Sequence, residues 1–226
     1  MPISWPVKRK NINFITRPNS GSHKREYSVA LVVLLRDVLK YATTTREAKV
    51  ITNTKEVFVN GTQVKDIKFP VGIFDCVEIK TTNEKYIVIF NELGKIKLVP
   101  SKDDLIYLKV SGKTQTPGKK FQLNFMNGFN VLVDEKVFKS TKVSDTVVYD
   151  FSKKKISSIL TLKDGNFVYV FNGNFKGQIA QIESFTHYNG LAKDVAFIKI
   201  GKDSHSTAKE YCFVIGTKSE DVARFA

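Results

Sequence analysis

Hydrophobic positions along the chain follow two periods, helical near the start and alternating for most of the rest. From Ser28 to Lys40 the apolar residues Val29, Val32, Val33, Leu35, Val38 and Leu39 recur at helical spacing, with Arg36 and Lys40 off that face. The pattern predicts a helix with Ser28 as its N-cap. A second helix is expected near Thr43 to Thr45, because Thr44 with Glu47 three residues later has capping-box spacing. Its Ala48, Val50 and Ile51 would face the core, with Arg46 and Lys49 on the other side. The period then drops to two. Residues 57 to 64 alternate around Asn60-Gly61, the strongest short hairpin signal, and Cys76 to Ile79 reads as a strand after the turn from Lys68 to Gly72.

Short strands dominate the rest of the chain: Tyr86 to Phe90, Ile96 to Val99, Leu105 to Val110, Phe121 to Phe125 and Phe129 to Val133, the last two flanking Asn127-Gly128. Val147 to Phe151 is another, and a break falls near Leu162 to Gly165. Beyond it, Phe167 to Phe171, Gln178 to Phe185, Val195 to Ile200 and Tyr211 to Ile215 suggest a small barrel, closed by a short helix from Ser219 to Arg224. Ahead of all these lies an extended arm, in which Pro2, Pro6 and Pro18 disfavour helix and Asn19 to Ser22 favour turns. The fold class expected is α+β, mostly β.

Charge narrows the function. Among 226 residues, 36 Lys plus Arg stand against 22 Asp plus Glu, a formal net charge of +14, so a polyanion is the expected partner. The longest apolar run, Val29 to Leu35, has seven residues and is too short to span a bilayer. No apolar segment of signal-peptide type comes after the basic start. Cys76 and Cys212 stand apart in apolar runs and are expected to be reduced core thiols. Neither they nor His23, His187 and His205 have zinc spacing, and no metal or other cofactor is expected. The first 26 residues hold six basic side chains against one acid, and the excess continues more thinly over the rest. That distribution suits a protein that touches folded RNA on several faces.

The candidate contacts arise from these patterns. Trp5, Lys8, Arg9 and Lys10 put an aromatic ring beside a basic triplet, a pairing that can stack and neutralise. Arg36, Lys40, Arg46, Lys49, Lys65 and Lys68 place cations on and around the helix pair and hairpin, with Asn60 and Gly61 at the hairpin tip. Thr43 marks a helix N-terminus whose free N–H groups favour anions. Ser204-His205-Ser206 lacks the partners of a hydrolase site and reads as a loop.

Several of these motifs resemble one family. Residues 28 to 80 look like the S4-type RNA-binding module. Leu35 to Lys40, Thr45 to Lys49, Lys65-Asp66 and Lys68 to Gly72 are similar to the S4e family, small-subunit ribosomal protein S4 of the archaeal and eukaryotic type. Ser4-Trp5-Pro6 with its basic triplet matches the family's start, Gln122 to Phe125 before Asn127-Gly128 its central strand pair, and Asp145-Thr146-Val147 a later turn and strand. Gly165-Asn166, Asn172-Gly173 and Gly177 resemble its KOW segment, and Tyr211 to Gly216 its closing strand. The basic stretch that usually precedes Ser-Trp-Pro is absent from this sequence, and Asn172 and Ala180 stand where the KOW segment commonly has glycine.

The resemblance implies four parts: an arm over 1–27, the S4-type module of two helices plus hairpin over 28–80, a central β-barrel-like domain over 81–162, and a KOW-containing, SH3-like small barrel over 163–226. It further implies a cytoplasmic, ribosome-bound structural constituent whose partners are small-subunit ribosomal RNA and neighbouring small-subunit proteins, with no membrane and no small-molecule substrate. Lys176 and Gly177 join the expected RNA contacts on the same ground. The rivals are an RNA-binding transcription or translation factor and, further off, an RNA-modifying enzyme. The enzyme reading lacks an Arg-Leu-Asp motif and a nucleotide-binding alternation of strands and helices.

Overall fold

The apolar run that begins at Val29 is buried on every side, and it forms more than a helix. Ser28–Ala30 is a strand, β1, whose Ser28 pairs with Gly72. Only then does the chain turn into α1 (Leu31–Val33), which continues as a π-helical segment over Leu34–Val38. Ser28 is therefore no N-cap, contrary to the helical pattern. The first helical N–H groups need a partner and find it in backbone: Leu31 donates to the Phe69 carbonyl and Val32 to that of Ile67, each at 3.0 Å. A run apolar on all faces carries no period to distinguish strand from helix.

The computed structural model describes residues 1–8, 10, 14–54, 56–101, 105–118, 120–188 and 193–217. They divide into one unit of Met1–Phe90, Gly94–Ile106 and Phe151–Lys153, and a second made of the remaining described residues. No helix of the described residues is long and apolar enough to cross a membrane. The expected C-terminal helix lies outside the described residues.

In the first unit α2 (Thr45–Asn53) starts at the expected box: Thr44 Oγ1 accepts from the Glu47 N–H, and Glu47 reaches back to the Thr44 N–H. It buries Ala48 and Thr52, one turn apart, and leaves Val50 57% exposed, so Val50 lies on the opposite face from the one expected. β2 (Val57–Val59) and β3 (Thr62–Gln63) form the hairpin, with φ of 51° at Asn60 and 70° at Gly61, both positive as the tight turn demands. β4 (Pro70–Gly72) returns to β1. β5 (Cys76–Ile79), β6 (Glu84–Phe90) and β7 (Ile96–Ser101) complete an antiparallel sheet in the order β3-β2-β5-β6-β7.

One buried carboxylate joins these pieces. Asp75, 1% exposed, accepts from the Gly72 N–H and from Asn60 Nδ2, each at 2.8 Å, and lies 2.8 Å from His23 Nε2 of the arm. Asn60 Oδ1 in turn accepts the Cys76 N–H at 2.9 Å. Gly72 has no room for a side chain: an added Cβ would lie 2.2 Å from His23 Cγ. Burial by itself would lower the His23 pKa. The charge and hydrogen bond of Asp75 outweigh it, and the pKa is raised above the ordinary 6.5.

The second unit is built on β8 (Leu105–Thr116), β9 (Lys120–Phe125), β10 (Asn130–Val133), α3 (Glu135–Ser140), β11 (Thr146–Asp150) and β12 (Lys155–Leu160), with sheet order β10-β9-β8-β11-β12. A further sheet, β16-β15-β14-β13-β17, contains β13 (Phe167–Val170), β14 (Ile179–Thr186), β15 (Val195–Ile200), β16 (Asp203–Ala208) and β17 (Cys212–Gly216). Its core alternates strictly: Ala180 and Ile182 on β14, and Ala196 and Ile198 on β15, point inward. Ser204-His205-Ser206 lies on edge strand β16, not in a loop, and His205 stacks on Phe175.

Two charged groups are sunk into this unit. Asp145 accepts the N–H groups of Lys142 and Leu162 at 2.7 and 2.9 Å. Lys109, 7% exposed, donates through Nζ to the carbonyls of Glu210 and Cys212, each at 2.6 Å, which ties β8 to β17 and the 3-10 turn Lys209–Tyr211 before it. Burial lowers its pKa from 10.5 to about 8 despite those bonds.

Stability should depend on pH through the buried cations His23 and Lys109, with opposite signs. The His23–Asp75 pair contributes fully below pH 6.5, and that contribution is lost as the pH rises through the raised folded value. Urea unfolding of wild type against His23→Gln should show a gap that narrows across that window, and Asp75→Ala should cost ~3–5 kcal/mol because it strands a buried partner. Lys109 behaves in reverse. Between about pH 8 and 10.5 the unfolded chain holds more protons than the folded one at this position, so its burial becomes less costly as pH rises. The stability difference, wild type minus Lys109→Met, should climb over that interval.

Candidate nucleic-acid interface

The arm is held down along much of its length, and that shapes a basic groove. Asn19 donates its N–H to the Lys68 carbonyl at 2.9 Å and its Nδ2 to Asp66 at 2.7 Å. A Cβ at Gly21 would lie 2.4 Å from Pro70 Cγ. Residues 14 to 19 thereby form one wall of an open groove of about 510 Å3, whose lining also includes Arg36, Thr45 and Lys68. Arg36 is fixed in place: Nε and Nη2 donate to Asp37 at 3.0 and 2.9 Å, and Nη1 to Thr45 Oγ1 at 3.1 Å. The hydrogen bond to Asp37 outweighs a slight desolvation and raises its pKa further. From Thr45 the exposed side of α2 continues to Lys49, one turn on, with Arg46 and the exposed Val50 beside it.

The structure divides the residues expected from the sequence. Arg36 and Lys68 meet in the groove, and Arg46 and Lys49 share the adjoining helix surface. Lys40, Lys65, Lys8 and Lys10 are exposed, Lys40 and Lys10 with positive φ. Arg9 lies outside the described residues. Trp5 is no stacking platform: it is 1% exposed, and its Nε1 donates to the Ser28 carbonyl at 2.9 Å. Its apolar area makes it a core residue, and its neighbour Ser4 is bound on both sides, the carbonyl accepting from Ile96 N and Oγ donating to the Glu26 carbonyl.

Three further expectations need correction. The Asn60 amide is committed at both ends, to Asp75 and Cys76, and Gly61 sits against the Phe151 ring, within 3.3 Å of an ideal Cβ. The hairpin tip is structural. The N-terminus of α2 has few free donors, since Glu47 takes the Thr43 N–H at 2.8 Å and the Thr43 hydroxyl, bonds that lower the Glu47 pKa. A carboxylate there repels a phosphate at Thr43. Gly177 donates its N–H to the Val170 carbonyl at 2.8 Å and abuts the Asn91 backbone, where a Cβ would fall 2.0 Å from the carbonyl oxygen. Lys176 beside it is half-buried. Arg17 was missed; its signal was a lone cation three residues after Phe14, next to the turn-rich Asn19 to Ser22.

The model of the ribosomal family S4e matches residues 82–156. The chain is 36% identical over 222 residues to the small ribosomal subunit protein eS4 of Pyrobaculum calidifontis, an alignment covering 96% of this chain and 94% of the relative. The chain belongs to the ribosomal S4e family. The eS4 protein of Methanocaldococcus jannaschii is 32% identical, with 95% of this chain and 91% of the relative covered. The crystal structure of the 30S ribosomal protein S4e from Thermoplasma acidophilum superposes with a TM-score of 0.70 at 31% identity, covering 85% of this chain and 96% of that one.

Within this S4e chain the Ser4-Trp5-Pro6 segment is a docking element, since Trp5 and Ser4 are buried. Trp5 is the one tryptophan of the sequence, which makes it a clean reporter. Its fluorescence should be blue-shifted and shielded from aqueous quenchers, and RNA should leave it unchanged. Quenching on RNA addition would mean that the indole is reached after all.

Proposed function

We propose that this chain is a structural constituent of the small ribosomal subunit that binds ribosomal RNA, supports subunit assembly and translation, and does no chemistry of its own. The observation that carries the reading is the near full-length likeness to proteins named for that subunit. The groove supports it physically. Arg17, Arg36 and Lys68 line one open surface, and Arg46 and Lys49 extend it along α2. Cations arranged this way replace the counterions of a phosphate backbone, and their release drives association.

The proposed organisation has four parts: arm 1–27, S4-type module 28–80, central β-barrel-like domain 81–162 and KOW-containing, SH3-like barrel 163–226. The first two form the main RNA surface, and Lys65 and Lys40 add exposed charge to it. Partners are small-subunit RNA and neighbouring small-subunit proteins, and the setting is the cytoplasmic ribosome.

Sucrose-gradient sedimentation tests the function. The protein should travel with the small subunit at low and at moderately raised salt; recovery in the soluble fraction at both would favour a free RNA-binding factor. Neutralising Arg46, Lys49 and Lys65 should weaken filter binding to small-subunit RNA. The slope of log affinity against log salt should fall by roughly 0.9 for each phosphate contact removed from duplex RNA, taking the duplex DNA value as guide. An unchanged slope would place the RNA on another face.

A further inference from the structure

Phe14 is 90% exposed, more than any other large hydrophobic side chain among the described residues. Five residues on, Asn19 is fastened through backbone and side chain to Lys68 and Asp66, and Gly21 is pressed against Pro70. The ring stands at a groove lined by Arg17, Arg36 and Lys68, where Asp37 is engaged by Arg36 and Asp66 by Asn19. Arg36 is held by Asp37 and Thr45 and needs no ordering when a ligand arrives. An open ring beside several cations matches the two halves of a nucleotide, with a face for the base and charge for the phosphate.

We propose that this groove seats one unpaired ribonucleotide, its base stacked on Phe14 and its phosphate among Arg17, Lys68 and the pinned Arg36. The assignment rests on the reading of the chain as a ribosomal-RNA-binding protein. It specifies single-stranded RNA at this surface because a base inside a helix is covered on both faces and offers a side chain only its edges. Phe14 thus supplies what the cations alone lack, a preference for RNA whose base is turned out.

The test uses small subunits reconstituted with the full chain carrying the photo-crosslinker benzoylphenylalanine at position 14, alongside Phe14→Ala and Phe14→Tyr. On irradiation position 14 should join one nucleotide of small-subunit RNA, and chemical probing should find that nucleotide unpaired. Phe14→Ala should weaken binding to small-subunit RNA about tenfold, as loss of one base–aromatic stack does, while Phe14→Tyr binds as wild type. The inference is overturned if position 14 joins a neighbouring protein or a base-paired nucleotide, or if Phe14→Ala binds undiminished in particles that contain the protein. None of those results touches the ribosomal assignment. If the wild-type protein fails to enter the particle, both readings fall.

Discussion

The carboxylate of Asp75 is the constraint on which the first unit depends. A charge that deep is tolerable only when its oxygens are occupied, and here they are divided among three segments: His23 of the arm, Gly72 of β4 and Asn60 of the hairpin turn. Docking the arm is thus coupled to forming the sheet. The groove inherits this coupling, because one wall is the stretch of arm just before His23 and the other contains Arg36 and Lys68. A break at Asp75 would be felt as a loosened groove although no groove residue had changed.

The second unit uses the same physics with both signs. Asp145 gathers backbone N–H groups, and Lys109 gathers backbone carbonyls. Each satisfies polar backbone that the closely packed strands would otherwise leave without partners. The cost is visible in Lys109, whose ammonium is held in a setting that favours the neutral amine. Such groups favour one arrangement of strands over near alternatives that generic apolar packing would also permit.

Much of this was legible wherever a local rule carried the information. The box of Thr44 and Glu47 marked the start of α2, Asn60-Gly61 marked the tight turn, and apolar runs marked the strands β14 and β15. Misreadings arose where the deciding partner is distant in sequence. Ser28 has the composition of a cap, but Gly72 makes it a strand residue. Trp5 and Asn60 have chemistry that suits RNA, and the fold claims both for itself through Ser28 and Asp75. The short strand β12 and the edge strand β16 escaped notice because their serines, threonine and histidine blur the apolar pattern. Of the proposed interface, Arg36, Arg46, Lys49 and Lys68 were visible as cations near a helix pair. Arg17 was not, since only the folded arm brings it beside them.

The turn at Asn60-Gly61 also bears on how the molecule ages. A flexible Asn before Gly is the pair most prone to spontaneous deamidation: the glycine backbone nitrogen attacks the side-chain amide carbon, ammonia leaves, and water opens the resulting cyclic imide to a carboxylate. In this fold that amide nitrogen is the donor to Asp75. Its conversion would set two carboxylates against each other in a buried place and turn the joint of the unit into a repulsion. The bonds that hold the Asn60 side chain at both ends restrain it from the required geometry. The chemical lifetime of the protein is therefore set in part by the same contacts that give it its shape.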